Sequence, residues 1–418
     1  MLDTESPIEA ATPADLDAIG TLLRTLFHNE PDATFTEVHA GIAEPDRSLV
    51  VRSGGTVVAH AGAYTRKLTV PGGTLPAAHV TDVGVAPTHR RRGLLNRMMR
   101  RQLRDIQAAG QESIAVLWAS EGPIYPRFGY GQATQQLPLE VDTAALRLVE
   151  PAEADPSGGP VPAVTLRVGD PLALRSVLAP LYERVRAGRP GWSDRTEPWW
   201  RYVLTDYPSR RSGGTERQAV IADTPTGPAG YALWRTRDEW DARGPRGMVM
   251  IDEVVVEDPV AYRALWRFLL GVDLTRTVIF HHAAVDEPLH HLVDEPRQLG
   301  ARLNHGLWLR IVDLPAALAA RSYATGVDVV LDVTDPLLPE NAGRWRLTAA
   351  SGTARCTRTD APAELACDVR DLAAAYLGGS SLGTLAAAGL VREVRPGVLP
   401  RVSAAFGWHR APSGLGTF

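Results

Sequence analysis

Two stretches of this chain hold side chains of the right type and spacing to do chemistry. The first is H-V-T-D-V-G-V-A-P-T-H-R-R-R-G-L-L, residues 79–95. Arg90, Arg91 and Arg92 run directly into Gly93, and behind it Leu94, Leu95, Met98, Met99, Leu103 and Ile106 recur on one helical face. Ahead of the turn, Val80, Val83 and Val85 read as a strand that Pro87 ends. Strand, basic glycine turn and helix together suit a pyrophosphate. The first N–H groups of a helix have no partner inside it and carry partial positive charge. Gly93 lets the backbone come close to a ligand, and the arginines add charge-assisted contacts.

The second stretch, A-S-E-G-P-I-Y-P-R-F-G-Y-G at 119–131, follows an apolar strand at 113–118. It offers two phenols, Tyr125 and Tyr130, with equal claims by composition. A phenol can protonate a departing thiolate. Ordinary pKa values near 10 and 8.5 put that transfer roughly 2 kcal/mol uphill, small for a positioned acid. Other candidates read as structural. Cys356 and Cys367 have neither zinc nor disulfide spacing and are expected as buried thiols. The pairs His281-His282 and His290-His291 lack supporting carboxylates or cysteines, so packing or surface roles are expected and no metal. The tail, 411–418, reads as disordered by composition.

The elements that must position these groups come in a repeated order. Thr12-Pro13-x-Asp15 opens a first helix whose core face is Leu16, Ile19, Leu22, Leu23, Leu26 and Phe27. A second helix is expected near 35–42, then strands at 48–51, 56–64, 68–70 and 79–85, and a helix ending at Gly110. Residues 140–163 read as a linker. The layout then returns: strand 164–168, helix 171–187, a Trp-rich helix 197–207, strands 218–222, 229–236 and 248–256, and a helix from Asp258. Where the first copy has P-T-H-R-R-R-G, the second has E-D-P-V-A-Y-R-A, with no glycine and one arginine. Acids there cap a helix but repel phosphate, so this copy is expected to be structural. A strand and helix at 306–320, strands at 327–333, 345–350 and 354–357, and helices at 371–376, 382–389 and 399–406 make an α+β end. The expected domains are 1–145, 160–300 and 301–418.

Composition narrows the function classes. The chain has 418 residues, 44% hydrophobic and 22% charged, with a net charge of −4, as expected of a soluble protein of two or three domains. Its arginines are spread out, so no nucleic-acid partner is expected. No apolar run reaches membrane-span length, and the acidic start lacks a signal-peptide core, so a cytoplasmic protein without a membrane partner is expected.

Three motifs, H-R-R-R-G-L-L, A-S-E-G-x-I-Y-x-R-F-G-Y-G and the later G-L-W-L-R-I-V-D-L-P-A-A-L, resemble in that order the Eis (enhanced intracellular survival) family of GCN5-related N-acetyltransferases (GNAT). The similarity covers essentially the full length. It departs at Leu95, where the family's R/Q-x-x-G-x-G/A loop has Gly or Ala, and at Pro126, where glycine also occurs. The resemblance implies tandem GNAT domains, the first active and the second degenerate, plus a sterol-carrier-protein-like α+β domain. It implies acetyl-CoA as cosubstrate, contacted by Val83, Val85, Arg90, Arg91, Gly93, Leu94 and Ser120, and Tyr125 as general acid. It also implies that the α-carboxylate of Phe418 reaches the active site and helps take the amine's proton. The implied substrates are polycationic small molecules such as aminoglycosides, acetylated at one or several amines by direct transfer, and the implied assembly is a homo-hexamer. Glu30 and Asp32 are candidate pocket acids, with Phe27 as an apolar wall. The rival functions are a protein lysine Nε-acetyltransferase and a non-enzymatic acyl-CoA or lipid-binding protein.

Overall fold

The computed structural model describes residues 7–149, 163–350, 352–416 and 418, so most of the expected linker lies outside the described residues. The opening signal works as written: Asp15 Oδ2 accepts from the Thr12 N–H and hydroxyl, both at 2.9 Å. The resulting 3-10 turn leads into α1 (Leu16–Phe27), which His28 ends in the left-handed region at φ 56°. With β1 (Ile8–Ala10), α2 (Ala33–Ala40), β2 (Leu49–Ser53), β3 (Thr56–Val70), β4 (Gly73–Val85), α3 (Leu94–Ala109), β5 (Ile114–Trp118) and β6 (Gly131–Gln132), it builds the first layer of the molecule. The stretches expected as separate strands at 56–64, 68–70 and 79–85 are in fact one long hairpin, paired from Ala59↔Val85 to Val70↔Gly73. Arg66 does not break it, because its guanidinium lies 3.9 Å over the Trp199 ring and the side chain is buried.

The first sheet has the order β1-β2-β3-β4-β5, then strand Leu307–Ile311, then β6. The second has the order Leu139–Asp142, Thr275–Phe280, Gly247–Val256, Gly227–Arg237, Gln218–Thr224 and Thr165–Gly169. Each sheet contains one parallel pair, β4 with β5 and Gly247–Val256 with Thr275–Phe280. Two strands cross the boundaries that chain order suggests. Leu139–Asp142 closes the second sheet, and Leu307–Ile311 inserts into the first between β5 and β6. Every residue of L-W-L-R-I is buried. A strand of that kind is satisfied only between two neighbours, and a one-dimensional reading cannot say which.

The third sheet has five strands, in the order Thr353–Arg358, Gly343–Ala350, Val327–Thr334, Leu365–Asp368 and Val391–Glu393. One continuous core joins it to the first sheet, running from Leu68, Val116 and Leu309 to Leu331, Leu347 and Phe406. A fully buried ion pair crosses the same junction: Arg310 Nη2 lies 2.8 and 2.7 Å from the two Asp335 oxygens. No helix among the described residues is long and apolar enough to cross a membrane.

Candidate active site

The site begins where β4 and β5 part. Their parallel pairing covers only Ala77↔Ile114, Ala78↔Ala115 and His79↔Val116, while β4 runs on to Val85 and β5 to Trp118. Val83 and Val85 therefore lie on a stretch whose β5-side N–H and C=O groups have no strand partner. On its other side β4 bulges: Asp82 and Val83 together face Ala61, and Asp82 takes φ 53°. Beyond Val85 the chain turns through Arg91 at φ 63° and Gly93 at φ 77°, a concave run of backbone N–H groups at the start of α3. A Cβ on Gly93 would meet nothing, so backbone conformation rather than space calls for glycine. Arg90, Arg91 and Gly93 are exposed, and Leu94 is buried under the turn. Leu95, the departure from the family loop, packs, like Val83, against the cluster that holds Tyr125. Ser120 is exposed just past the end of β5.

Tyr125 opens a one-turn 3-10 helix, Pro126–Phe128, and its carbonyl accepts from Phe128 N–H at 2.9 Å. Its ring packs among Leu103, Ala115 and Trp308, edge-on to Tyr130 at 5.9 Å. Burial pushes the Tyr125 phenol up to about 12. The two tyrosines, equal by composition, differ in access: Tyr130 is 0% exposed with an unpaired hydroxyl, and Tyr125 keeps 8% exposure.

The described residues of the tail, 411–416 and 418, make specific contacts, against its composition. Ser413 N–H donates to the Pro190 carbonyl at 3.0 Å, and its hydroxyl accepts from Trp192 Nε1 at 3.1 Å. At Gly414 a Cβ would lie 2.7 Å from the Trp118 indole, so only glycine passes there. The chain then reaches the deep end of the gap. The Phe418 main-chain oxygen accepts from Thr81 Oγ1 at 2.7 Å, and its ring meets His79 edge-on at 4.7 Å. His79 is neutral: burial holds it well below the usual imidazole range, Nδ1 donates to the Ala77 carbonyl at 2.9 Å, and Nε2 accepts from Ser193 Oγ at 2.7 Å.

A cavity of about 250 Å³ adjoins the tail and shares Trp118 and Phe418 with the gap. Its other rings are Tyr182, Trp192, Trp199, Tyr202, Tyr207, His281 and His282, and its charged side chains are Arg66, Arg195, Arg210 and Arg217 against Asp252 and Glu253. Both acids are paired: Glu253 Oε1 lies 3.0 Å from Arg195, and Asp252 Oδ2 lies 2.8 Å from Arg217. The expected pocket acids do not line this cavity. Phe27, the last residue of α1, and Glu30, three residues beyond it, are exposed. Asp32 caps α2, accepting from Phe35 N–H at 2.9 Å and from the Ser209 hydroxyl at 2.7 Å, so both its oxygens are committed. The signal that would have located Asp252 and Glu253 is the internal repeat, where I-D-E at 251–253 falls on T-D-V at 81–83.

The second copy keeps the bulged strand and the splay, its parallel pairing ending at Ile251↔Phe280. Its helix start is spent differently. Asp258 Oδ1 accepts from Val260 N–H at 2.7 Å and Ala261 N–H at 3.0 Å, the donors a phosphate would need.

Comparison with known proteins agrees with this geometry. Residues 7–133 and 191–311 each match an acetyltransferase (GNAT) domain family, and residues 314–413 match a sterol carrier protein domain family. An uncharacterized N-acetyltransferase of Streptomyces avermitilis is 45% identical over 393 residues, 94% of each chain. The N-acetyltransferase Eis of Mycobacterium tuberculosis is 38% identical over 371 residues, 86% of this chain and 87% of that one. The crystal structure of Eis1 from Mycobacterium abscessus superposes with a TM-score of 0.82 at 32% identity, covering 99% of this chain and 100% of that one. With one open cradle, one capped cradle and a sterol-carrier domain in that order, the chain belongs to the Eis family of GNAT N-acetyltransferases.

Proposed function

We propose that the chain transfers the acetyl group of acetyl-CoA directly to primary amines of polycationic small molecules such as aminoglycosides, with Tyr125 as general acid and the Phe418 carboxylate assisting as base. The observation that carries the two roles is the convergence on β4: Tyr125 belongs to the hydrophobic cluster against which Val83 packs, and Phe418 is hydrogen-bonded to Thr81, two residues from Val83. Acetyl-CoA supplies an activated acetyl group on a thiol leaving group. The Arg91–Gly93 turn and the first N–H groups of α3 suit its pyrophosphate, and the unpaired β4 edge at Val83 and Val85 suits its amide-bearing arm. Tyr125 holds its proton at neutral pH and can give it to the sulfur. An apolar site raises a thiolate's pKa as it raises a phenol's, so burial leaves much of their modest difference in place. A lysine-like amine of pKa near 10.4 costs roughly 4.6 kcal/mol to deprotonate at pH 7, which calls for a carboxylate at the amine end.

A second reading keeps the chemistry and changes the amine. Apart from the Arg195–Glu253 and Arg217–Asp252 pairs the cavity holds Arg66, Arg210 and the Phe418 carboxylate, and this balance, set among tryptophans and tyrosines, favours an amine that carries an aromatic or anionic part over a polycation. Mass spectrometry after incubation with acetyl-CoA and either a multi-amine aminoglycoside or an arylalkylamine carboxylate separates the readings. Mass gains of 42 Da (about one acetyl each) on the aminoglycoside support the first, and gains confined to the aromatic acid support the second. Tyr125→Phe should cut turnover roughly 10²- to 10⁴-fold with acetyl-CoA affinity retained. Unchanged turnover would remove its assignment as acid.

A further inference from the structure

The segment R-P-G-W-S-D, residues 189–194, belongs to the second copy by chain order but lies along the first. Gly191 N–H donates to the Thr69 carbonyl and Thr69 N–H to the Trp192 carbonyl, both at 2.8 Å, and Asp194 N–H donates to the Lys67 carbonyl at 2.9 Å. These bonds set the segment antiparallel beside β3, with Leu68 opposite Ser193. The same segment also holds the chain end. Arg189 and Asp286, themselves ion-paired at 2.7 Å, grip one residue of the tail twice. Arg189 Nη1 donates to the Ala411 carbonyl at 2.9 Å, and Ala411 N–H donates to Asp286 Oδ2 at 3.0 Å. Two residues on, Pro190 and Trp192 hold Ser413. Gly191, at φ 94°, passes so close to Ser413 that a Cβ there would collide with its carbonyl oxygen. Leu415 packs against the second copy's cluster of Leu178, Tyr182 and Trp192. Ser193 then holds His79, which the Phe418 ring meets edge-on. The grip at Ala411 is on backbone atoms, so the composition of the tail carries no sign of it.

We propose that the second copy serves the reaction as a latch for the chain end, with Arg189, Asp286 and Trp192 as positioning residues for the terminal carboxylate of Phe418; this rests on the role given to that carboxylate above. A free chain end spreads its carboxylate over many positions, and each residue fixed costs backbone entropy that anchoring bonds must offset. A reacting group misplaced by about 1 Å can lose about 10²-fold in rate. The anchors at Ala411, Ser413 and Leu415 do for Phe418 what a rigid element does for an ordinary side chain. The second copy, its own cradle capped by Asp258, thus keeps a part in the reaction that needs no cofactor of its own.

The test uses the full chain and three readouts: kcat on whichever of the two amine probes is acetylated, acetyl-CoA affinity by calorimetry, and release of Phe418 by a carboxypeptidase, followed by mass spectrometry. Arg189→Met keeps the apolar stem and removes the donors. It should lower kcat roughly 10- to 100-fold, keep acetyl-CoA affinity within about twofold, and speed release of Phe418 by about 10-fold or more. Arg189→Lys should restore part of both. On a chain lacking Phe418, Arg189→Met should cost no further kcat, because the two changes act through one group. Ser413→Ala removes a tail-side hydroxyl alone and should repeat both effects at smaller size, which keeps the test open if Arg189→Met fails to fold. Wild-type kcat and wild-type release in both variants, or a full Arg189→Met penalty on the chain lacking Phe418, overturns the latch and leaves the role of the carboxylate standing. Wild-type kcat after deletion of Phe418 brings down that role, and the proposal with it.

Discussion

The two GNAT copies share a bulged strand, a splayed parallel pair and a helix that starts just past it, yet they treat their polar groups in opposite ways. In the first, the turn before α3 holds Arg91 and Gly93 in left-handed conformations and leaves the helix N–H groups open. In the second, Asp258 takes two of those donors for itself. In the first, Val83 lines the gap. At the matching place in the second, Glu253 is 3% exposed and locked to Arg195. The same scaffold thus becomes a binding site or a wall according to whether its buried donors and charges are satisfied internally. The second copy satisfies these groups internally, and the first keeps unsatisfied groups that a ligand can use.

Substitutions that exchange these properties should break the comparison in order of cost. Glu253→Ala would strand Arg195 as an unpaired buried charge and should destabilise the fold by about 3–5 kcal/mol, read as a large fall in thermal midpoint. An unchanged midpoint would mean that the pair is not buried in solution. Gly93→Asp would bring the second copy's acidic cap to the first copy's cradle. Acetyl-CoA affinity should fall on the order of 100-fold, through a repelling charge and competition for the N–H donors. Full affinity in calorimetry would move the pyrophosphate elsewhere.

Smaller effects sharpen the contrast. The Asp82 carboxyl is raised to about 6 in the fold from 3.8, so the folded state binds the proton more tightly. Stability from this group is present below about 3.8 and is lost as pH rises toward 6. Asp82→Asn should therefore be more stable than wild type at pH 7.5, by roughly 1–3 kcal/mol, and no more stable at pH 3.5. Equal thermal midpoints at both pH values would show that Asp82 is solvated. Asp258→Ala should cost only about 1 kcal/mol, the worth of a cap, and should leave one acetyl-CoA bound per chain. A second equivalent bound in that variant would show that the capping carboxylate alone had closed the second cradle.

Much of the first layer was legible because its signals are local. Thr12 and Asp15 lie three positions apart and cap one turn. The apolar spacing of Met98, Met99 and Leu103 marks the buried face of α3. Arg91 and Gly93 announce a cradle, because left-handed turns and helix starts are written in adjacent residues. The surroundings of the acids were not legible for the complementary reason. Asp32 follows a helix and looks available, but it is a cap, and its second partner, Ser209, is 177 positions away. Asp82 sits inside an apolar strand with nothing beside it in sequence to mark a bulge. The tail has a disordered composition, yet Ser413 and Phe418 are held by contacts with Pro190, Trp192 and Thr81.

By itself, then, the amino-acid sequence determined the periodic elements, the repeat, the contrast between the basic glycine turn of the first copy and the acidic cap of the second, and the family. Each of these rests on spacing along a chain whose turns and faces have fixed periods. Only the tertiary structure decided which sheet Leu139–Asp142 and Leu307–Ile311 complete, which tyrosine has access, and where Phe418 arrives. It also decided which of two bulge aspartates, Asp82 or Asp252, forms an ion pair with arginine. Those outcomes depend on desolvation and pairing between groups far apart in sequence, and burial of a charge has no cost until the fold brings its surroundings together.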